Sequence, residues 1–309
     1  MCLLIVDCDT IVFKACMIAE KTVYDALPLT IKDVPTGQVV DLEDWDSYQQ
    51  YVIQSFTYAK DYAAWLTSIG KTKADFLRVS RVVMEPLSHT LHTINSMLKD
   101  LINVVQPERV KILLTGEDNF RDKVAKLRPY KETRREKPKP YHYEAARSYM
   151  VEKYGAIIVD GCEADDMCGI LATECFNSGD PYVIAAVDKD LNSIPGHHYN
   201  YDDKRWYYVN VKDAERWFWV QALAGDATDC IPGLNKIGEV YANKILGKSQ
   251  SYVTMYRKAI AAYRNAVKRD RQTTEQRYAG YHTGDELLLE MARLVHMQRA
   301  VGEMWEPPE

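Results

Sequence analysis

The chain has 309 residues, 47% of them hydrophobic and 27% charged, which excludes a disordered polypeptide and leaves enough apolar material for a sizeable core. Its net charge is −5, but the nine Lys and Arg and three acids between Arg121 and Lys139 make a local +6, so the remainder carries −11. An acidic body with one basic strip is not the uniformly basic surface of a simple nucleic-acid coat.

The apolar opening from Met1 to Ile18 is interrupted by Asp7 and Asp9 and has no small-residue cleavage site after it, so neither a signal peptide nor a membrane span is expected. Seven cysteines, with no C-x-x-C pair, predict reduced thiols and a cytoplasmic protein.

Taken in chain order, Leu3–Val6 reads as a buried strand. Residues 21–84 fit any scheme least well: they suggest a hairpin through Pro35, Thr36 and Gly37 and a helix from Ser47 to Leu66. Leu87, Leu91, Ile94, Leu98 and Leu101 then follow helical spacing. Further buried strands are expected at Val110–Thr115, Ala156–Val159 and Tyr182–Val187, with a helix through Met167, Ile170, Leu171 and Cys175 between the last two. Tyr199–Tyr201 and Trp206–Val209 form a hairpin. Helices are expected at Ala214–Leu223, Gly238–Leu246, Tyr252–Lys268 and Glu286–Met304.

Strands alternating with helices give an α/β class, a mostly parallel central sheet flanked by helices, followed by a C-terminal helical subdomain. The expected division is a core over residues 1–212, with 21–84 as an insertion, and a helical subdomain over 213–309.

In open parallel sheets, ligands sit beyond the carboxyl ends of the strands. Here those positions are acidic: Asp7 and Asp9 after the first strand, Glu117 and Asp118 after the second, Asp160, Glu163, Asp165 and Asp166 after the third, Asp188 and Asp190 after the fourth. Asp226 and Asp229 follow in G-D-A-T-D-C-I-P-G. Any one acid after a strand is also an ordinary turn or N-cap residue. Together they would repel one another unless cations offset their charge, and hard divalent ions, two Mg²⁺ rather than one, suit six to eight carboxylates. Two such ions can activate water and stabilise a leaving oxygen in phosphodiester hydrolysis. The basic strip, with P-Y-K-E-T-R-R inside it, would draw in a polyanion, and G-L-N-K-I-G at 233–238 could offer backbone N–H groups to a phosphate.

These motifs in this order, V-D-C-D-T, R-P-Y-K-E-T-R-R, G-C-E-A-D-D-M, V-D-K-D-L and G-D-A-T-D-C-I-P-G-L-N-K-I-G, resemble the flap endonuclease and 5′→3′ exonuclease family, most closely the replication exonucleases of short-tailed bacteriophages. The resemblance spans roughly residues 1–14 and 85–246. It implies a PIN-like 5′-nuclease core with a helix-hairpin-helix. It also implies metal ligation by Asp7, Glu163, Asp165, Asp166, Asp188, Asp190, Asp226 and Asp229, and catalytic contacts to the scissile phosphate from Lys131 and Arg134. The DNA contacts expected beside these are Arg128, Tyr130, Arg135, Gly233, Lys236 and Gly238.

The implied activity is metal-dependent removal of nucleotides from DNA 5′ ends, with flap cutting and primer-RNA removal in phage replication or recombination. Its cofactors would be two Mg²⁺, with Mn²⁺ as a substitute, and K⁺ at the hairpin; its partners, duplex ends, 5′ flaps and RNA–DNA hybrids, with no membrane. Two departures stand out. Gly116 occupies the place where the family has an acid, so Glu117 or Asp118 would have to substitute. Lys236 stands where a glycine is common. The competing readings are a flap endonuclease as the main activity, a ribonuclease of the related small α/β type, and a DNA-binding replication protein with a weak or dead site.

Overall fold

The computed structural model describes residues 2–28, 49, 52–135 and 137–308. The chain divides into two compact units, one made of residues 1–11, 97–139 and 147–309, the other of residues 12–96 and 140–146. The hairpin expected around Pro35–Gly37 lies outside the described residues.

The larger unit holds a six-stranded sheet in the order β6-β5-β1-β7-β8-β9, formed by β1 (Leu3–Asp7), β5 (Arg109–Asn119), β6 (Ile157–Gly161), β7 (Tyr182–Ala185), β8 (Gly196–Asn200) and β9 (Arg205–Val209). All neighbours pair in parallel except β8 and β9, the expected hairpin. The chain runs outward from β1 through β5 to β6, then returns to β7 on the other side of β1. That reversal places a crevice beyond the carboxyl ends of β1 and β7, the usual ligand position in such sheets. β1 is fully apolar up to Asp7 and buried throughout, as a central parallel strand must be.

Two elements shape the crevice. The helix Ala164–Ser178 begins with a capping box in which the Glu163 and Asp166 carboxylates take each other's backbone N–H groups, and Gly179 ends it in the left-handed conformation. A short 3₁₀ turn, Lys189–Ser193, starts at Asp188, whose carboxylate accepts from the Asp190 N–H at 2.9 Å. The helices Val211–Ala224, Glu239–Leu246, Tyr252–Asp270 and Gly284–Val295 pack around Trp219, Tyr263, Leu287 and Met291. They lie in the same compact unit as the sheet. No described helix is long and apolar enough to cross a membrane.

The last helix is shorter than its sequence pattern. It stops at Val295 because the carbonyls of Leu294 and His296 are taken by the Arg121 guanidinium, at 2.8 and 2.9 Å, and the chain runs on in extended form.

The smaller unit has a three-stranded antiparallel sheet, β3-β2-β4, from β2 (Glu20–Pro28), β3 (Gln54–Phe56) and β4 (Phe76–Met84). Within the stretch expected to be helical up to Leu66, Gln54–Phe56 is therefore a strand, and the helix starts at Ala59. Tertiary pairing overrides the local pattern: Phe56 buries against Tyr62 and Trp65 with ring centroids 5.5 and 5.3 Å apart, and Ser55 donates to the buried Asp25.

His198 on β8 is buried against the Tyr207 ring, and its Nε2 and the Ile194 carbonyl are 2.9 Å apart. Burial pulls its pKa from 6.5 down to about 4. The folded state therefore resists a proton that the unfolded state accepts, so stability is full above pH 6.5 and falls as pH drops towards 4. Unfolding by urea at pH 7 and pH 4 should show His198→Gln losing about 2–3 kcal/mol less than the wild type over that span; equal losses would contradict this.

Candidate metal centre

β1 delivers Asp7 into the crevice with only 5% of its surface exposed. Its carboxylate accepts from the Asp9 N–H, 3.2 Å from Oδ1. Burial, together with the charges of Asp9 and Asp188, pushes its pKa up to about 7, with Lys131 acting in the opposite direction. Asp165, in the first turn of the helix after β6, is likewise pushed well up, by burial and then by Asp7, Asp188 and Glu163. Its Oδ1 is buried and finds no hydrogen-bond partner among the described residues. Asp190, buried beside Asp188, Asp226 and Asp229, is raised to about 8 by burial and then by those charges, even though Gln221 Nε2 donates to it at 2.6 Å. Asp226 holds its own turn together, accepting from the N–H groups of Thr228 and Asp229 at 2.7 and 3.2 Å.

A second group of acids is already neutralised. Lys131 Nζ donates to Glu163 and lies 3.6 Å from Asp229 Oδ2; the Tyr130 hydroxyl lies 2.7 Å from Glu163 and 2.9 Å from Asp229 and shares its one proton between them. Burial alone would raise Glu163, but Lys131 and Arg121 hold it below the usual carboxylate range. Burial works against the Lys131 charge, yet Glu163 and Asp229 keep its pKa above the ordinary lysine value. Asp229 stays raised by burial despite Lys131 and Arg134. Arg134, half exposed, has Nη1 3.5 Å from Asp229 Oδ1.

Asp166 is fully buried and fully engaged: Arg121 reaches it with two N–H groups at 2.5 and 2.9 Å, and the N–H groups of Glu163 and Gln298 donate to it at 3.0 and 3.1 Å. It acts here as the anchor of Arg121 rather than as a member of the uncompensated cluster.

Among the described residues no three His, Cys, Asp or Glu side chains converge closely enough to enclose an ion as they stand. The donor set nevertheless fits a hard divalent cation. It is all oxygen, its charges raise one another, and a buried carboxylate oxygen is left without a donor, which is costly unless a cation faces it.

No family model matches the chain. Its sequence is 26% identical over 175 residues to the flap endonuclease Xni of Shewanella sediminis, covering 53% of this chain and 68% of that protein. The corresponding enzyme of Shewanella piezotolerans is 27% identical over 176 residues, covering 53% and 68%. The DNA polymerase I of Synechocystis sp. is 29% identical over 163 residues, 45% of this chain but only 16% of that polymerase. The chain resembles the flap endonuclease and 5′→3′ exonuclease family.

These sequence relatives are bacterial, so they do not favour the phage branch over the bacterial one. A structural likeness to the T5 D15 protein co-crystallized with metal ions covers 66% of this chain and 91% of that one, at 16% identity and a TM-score of 0.44. The T5 D15 flap endonuclease in a pseudo-enzyme-product complex with DNA and metal ions gives 14% identity and 0.42. At those values the functional reading rests on the sequence relatives and on the crevice itself.

The departure from the family's acid at Gly116 has a local cause. A Cβ on Gly116 would lie 1.9 Å from the Asp160 carboxylate and 2.7 Å from the Val159 carbonyl, so β6 leaves no room for a side chain there. Glu117 falls in the irregular part of β5, exposed, and is not among the charges that raise Asp7, Asp165 or Asp190. Tyr130, expected to contact DNA, is 4% exposed and belongs to the helical core, where its hydroxyl serves Glu163 and Asp229.

Residues 233–238 border a groove of about 610 Å³ lined by Arg128, Gly233, Asn235, Lys236, Gly238 and Arg277, among others. Gly233 and Gly225 cross so closely that a Cβ on Gly233 would sit 2.4 Å from Gly225 N. Arg277 had no sequence signal; it reaches Asn235 Oδ1 at 3.0 Å. Arg128 is half exposed, 3.5 Å from Glu132, while the side chain of Arg135 lies outside the described residues. Arg121, also unforeseen, is the most heavily bonded cation near the acids, and its only sequence cue is its place at the head of the basic strip.

If mutual repulsion is what raises these carboxyls, neutralising one without changing its shape should stabilise the metal-free protein. Asp165→Asn is expected to gain roughly 1–3 kcal/mol in chelator at pH 8, read by urea unfolding. A loss there would mean that the Asp165 charge is compensated.

Proposed function

We propose that this chain is a divalent-metal-dependent nuclease that hydrolyses phosphodiester bonds at DNA 5′ ends and 5′ flaps. The observation that carries the reading is the mutually repelling trio Asp7, Asp165 and Asp188 at the switch point of the parallel sheet, with a buried, unpartnered carboxylate oxygen on Asp165 and the Lys131 ammonium acting on both Asp7 and Asp165. The similarity to flap endonucleases supports the same chemistry and favours flap cutting as a main activity over end trimming alone.

In this reading Asp7, Asp165 and Asp188 hold one Mg²⁺, and Asp190, Asp226, Asp229 and Glu163 hold a second, with Mn²⁺ able to replace either. When bound, such ions supply an activated water and offset charge on the departing oxygen. The protein's own groups do the rest. Lys131 Nζ, held on Glu163 in the metal-free protein, and the Arg134 guanidinium donate to the scissile phosphate and offset the charge that develops there. Tyr130 keeps Glu163 and Asp229 oriented. The groove at 233–238, with Arg128, Lys236, Arg277 and a K⁺ ion, grips the duplex backbone, and the helical region 213–309 serves as the DNA-binding part. RNA at the 5′ end of a hybrid is a further substrate of the same geometry.

The test follows nucleotide or flap release from 5′-labelled duplex and 5′-flap DNA, with Mg²⁺ or with chelator. The expected result is Mg²⁺-dependent release that Asp188→Ala abolishes and that Lys131→Ala slows about 10²- to 10³-fold, the loss typical of one donor to a charged transition state. Wild-type protein that binds DNA but releases nothing would replace the nuclease reading with that of a DNA-binding replication protein.

A further inference from the structure

The segment that leaves the last helix, residues 294–299, touches both carboxylate-bearing turns of the candidate centre. On one side, the Arg121 guanidinium is 1% exposed and joins Asp166 at 2.5 and 2.9 Å to the carbonyls of Leu294 and His296 at 2.8 and 2.9 Å. The Gln298 N–H adds a direct contact to Asp166 at 3.1 Å. The backbone of the segment also lies on the helix that starts at Ala164: a Cβ on Gly169 would sit 2.5 Å from the Gln298 carbonyl. On the other side, Arg299 Nη2 donates to the carbonyl of Ser193, the last residue of the turn that carries Asp190.

We propose that residues 294–299, with Arg121 and Arg299, form a positioning strap that fixes the spacing between the Glu163–Asp166 turn and the Asp188–Ser193 turn. This rests on the nuclease reading above and extends it to residues that touch neither metal nor DNA. The physical need is plain. The acids on the two turns repel one another, and the apolar cluster that Leu191 and Ile194 share with Ala164 and Cys168 is non-directional, so directed polar ties are what can fix the spacing. A planar guanidinium with both of its edges engaged resists such movement better than a flexible ammonium, because its donors are fixed in one plane. Asp166 serves the strap by presenting both carboxylate oxygens to Arg121 while it caps the helix that carries Asp165.

The strap acts through geometry, so cation affinity reads it more directly than turnover does. Arg121→Lys preserves the charge but not the fork, Gly169→Ala pushes the Gln298 carbonyl away without touching any charge, and Arg299→Gln frees the Asp190 turn. Each full-length variant is titrated with Mn²⁺, with free ion counted by electron paramagnetic resonance below the melting temperature of that variant, and kcat and KM are then measured on 5′-flap DNA with Mg²⁺. The expected result is Mn²⁺ affinity weakened tenfold or more in Gly169→Ala and Arg299→Gln, with a fall in kcat and little change in KM. Variants that melt earlier but bind Mn²⁺ within twofold of the wild type would overturn the strap and reduce it to a fold-stabilising contact. Wild-type protein that binds no Mn²⁺ would instead overturn the metal-centre reading, and the strap with it.

Discussion

Burying like charges together is the constraint on which the rest of this structure depends. Asp7 and Asp165 are buried within reach of Asp188, and burial disfavours each charge before the neighbours add their repulsion. A chain gains nothing in stability from that arrangement, so the surrounding fold must impose it. The sheet does so from below, because β1 and β7 are parallel neighbours and their carboxyl ends open into one crevice. The capping box at Glu163 and the Asx-type turn at Asp188 aim the remaining acids into it. Lys131, Arg121 and Arg134 then divide the acids into two sets. Glu163, Asp166 and Asp229 have cationic partners. Among the described residues Asp7, Asp165 and Asp190 form no ion pair, and burial and neighbouring acids push their carboxyls up.

That division explains which features of the site were legible in the sequence. The strands were readable because a buried parallel strand must be continuously apolar, and the acids at their ends broke that pattern sharply: Asp7 after L-L-I-V, and Asp188 after Y-V-I-A-A-V. The clustering followed from topology alone. What each acid does once gathered was not readable. Asp166 and Asp165 are adjacent and identical in type, yet one faces Arg121 and the other the uncompensated crevice; that depends on a cation 45 positions earlier in the chain. Tyr130 shows the same limit. A tyrosine in a basic strip resembles a stacking platform, but its ring completes the helical core and only its hydroxyl meets the acids.

The places where sequence periodicity failed have a similar origin. Glu286–Met304 reads as one helix, but Arg121 captures two carbonyls at its end and turns the chain aside. Gln54–Phe56 reads as helical, but pairing with Tyr24–Ala26 makes it a strand. At Gly116 the missing acid looks like the loss of a ligand. In the fold it is a consequence of how closely β6 approaches, since the Asp160 carboxylate already fills the space a side chain would need. In each case a contact distant in sequence outweighed a local preference.

The central claim is that the uncompensated carboxylates exist to hold divalent cations. The most direct measurement is a crystal structure of the protein grown with Mn²⁺, with anomalous scattering recorded near the manganese edge. The account predicts anomalous density facing Asp165 Oδ1 between Asp7 and Asp188, and displacement of Lys131 Nζ from Glu163. A map in which those carboxylates carry no anomalous density at millimolar Mn²⁺, with Lys131 still seated on Glu163, would contradict it.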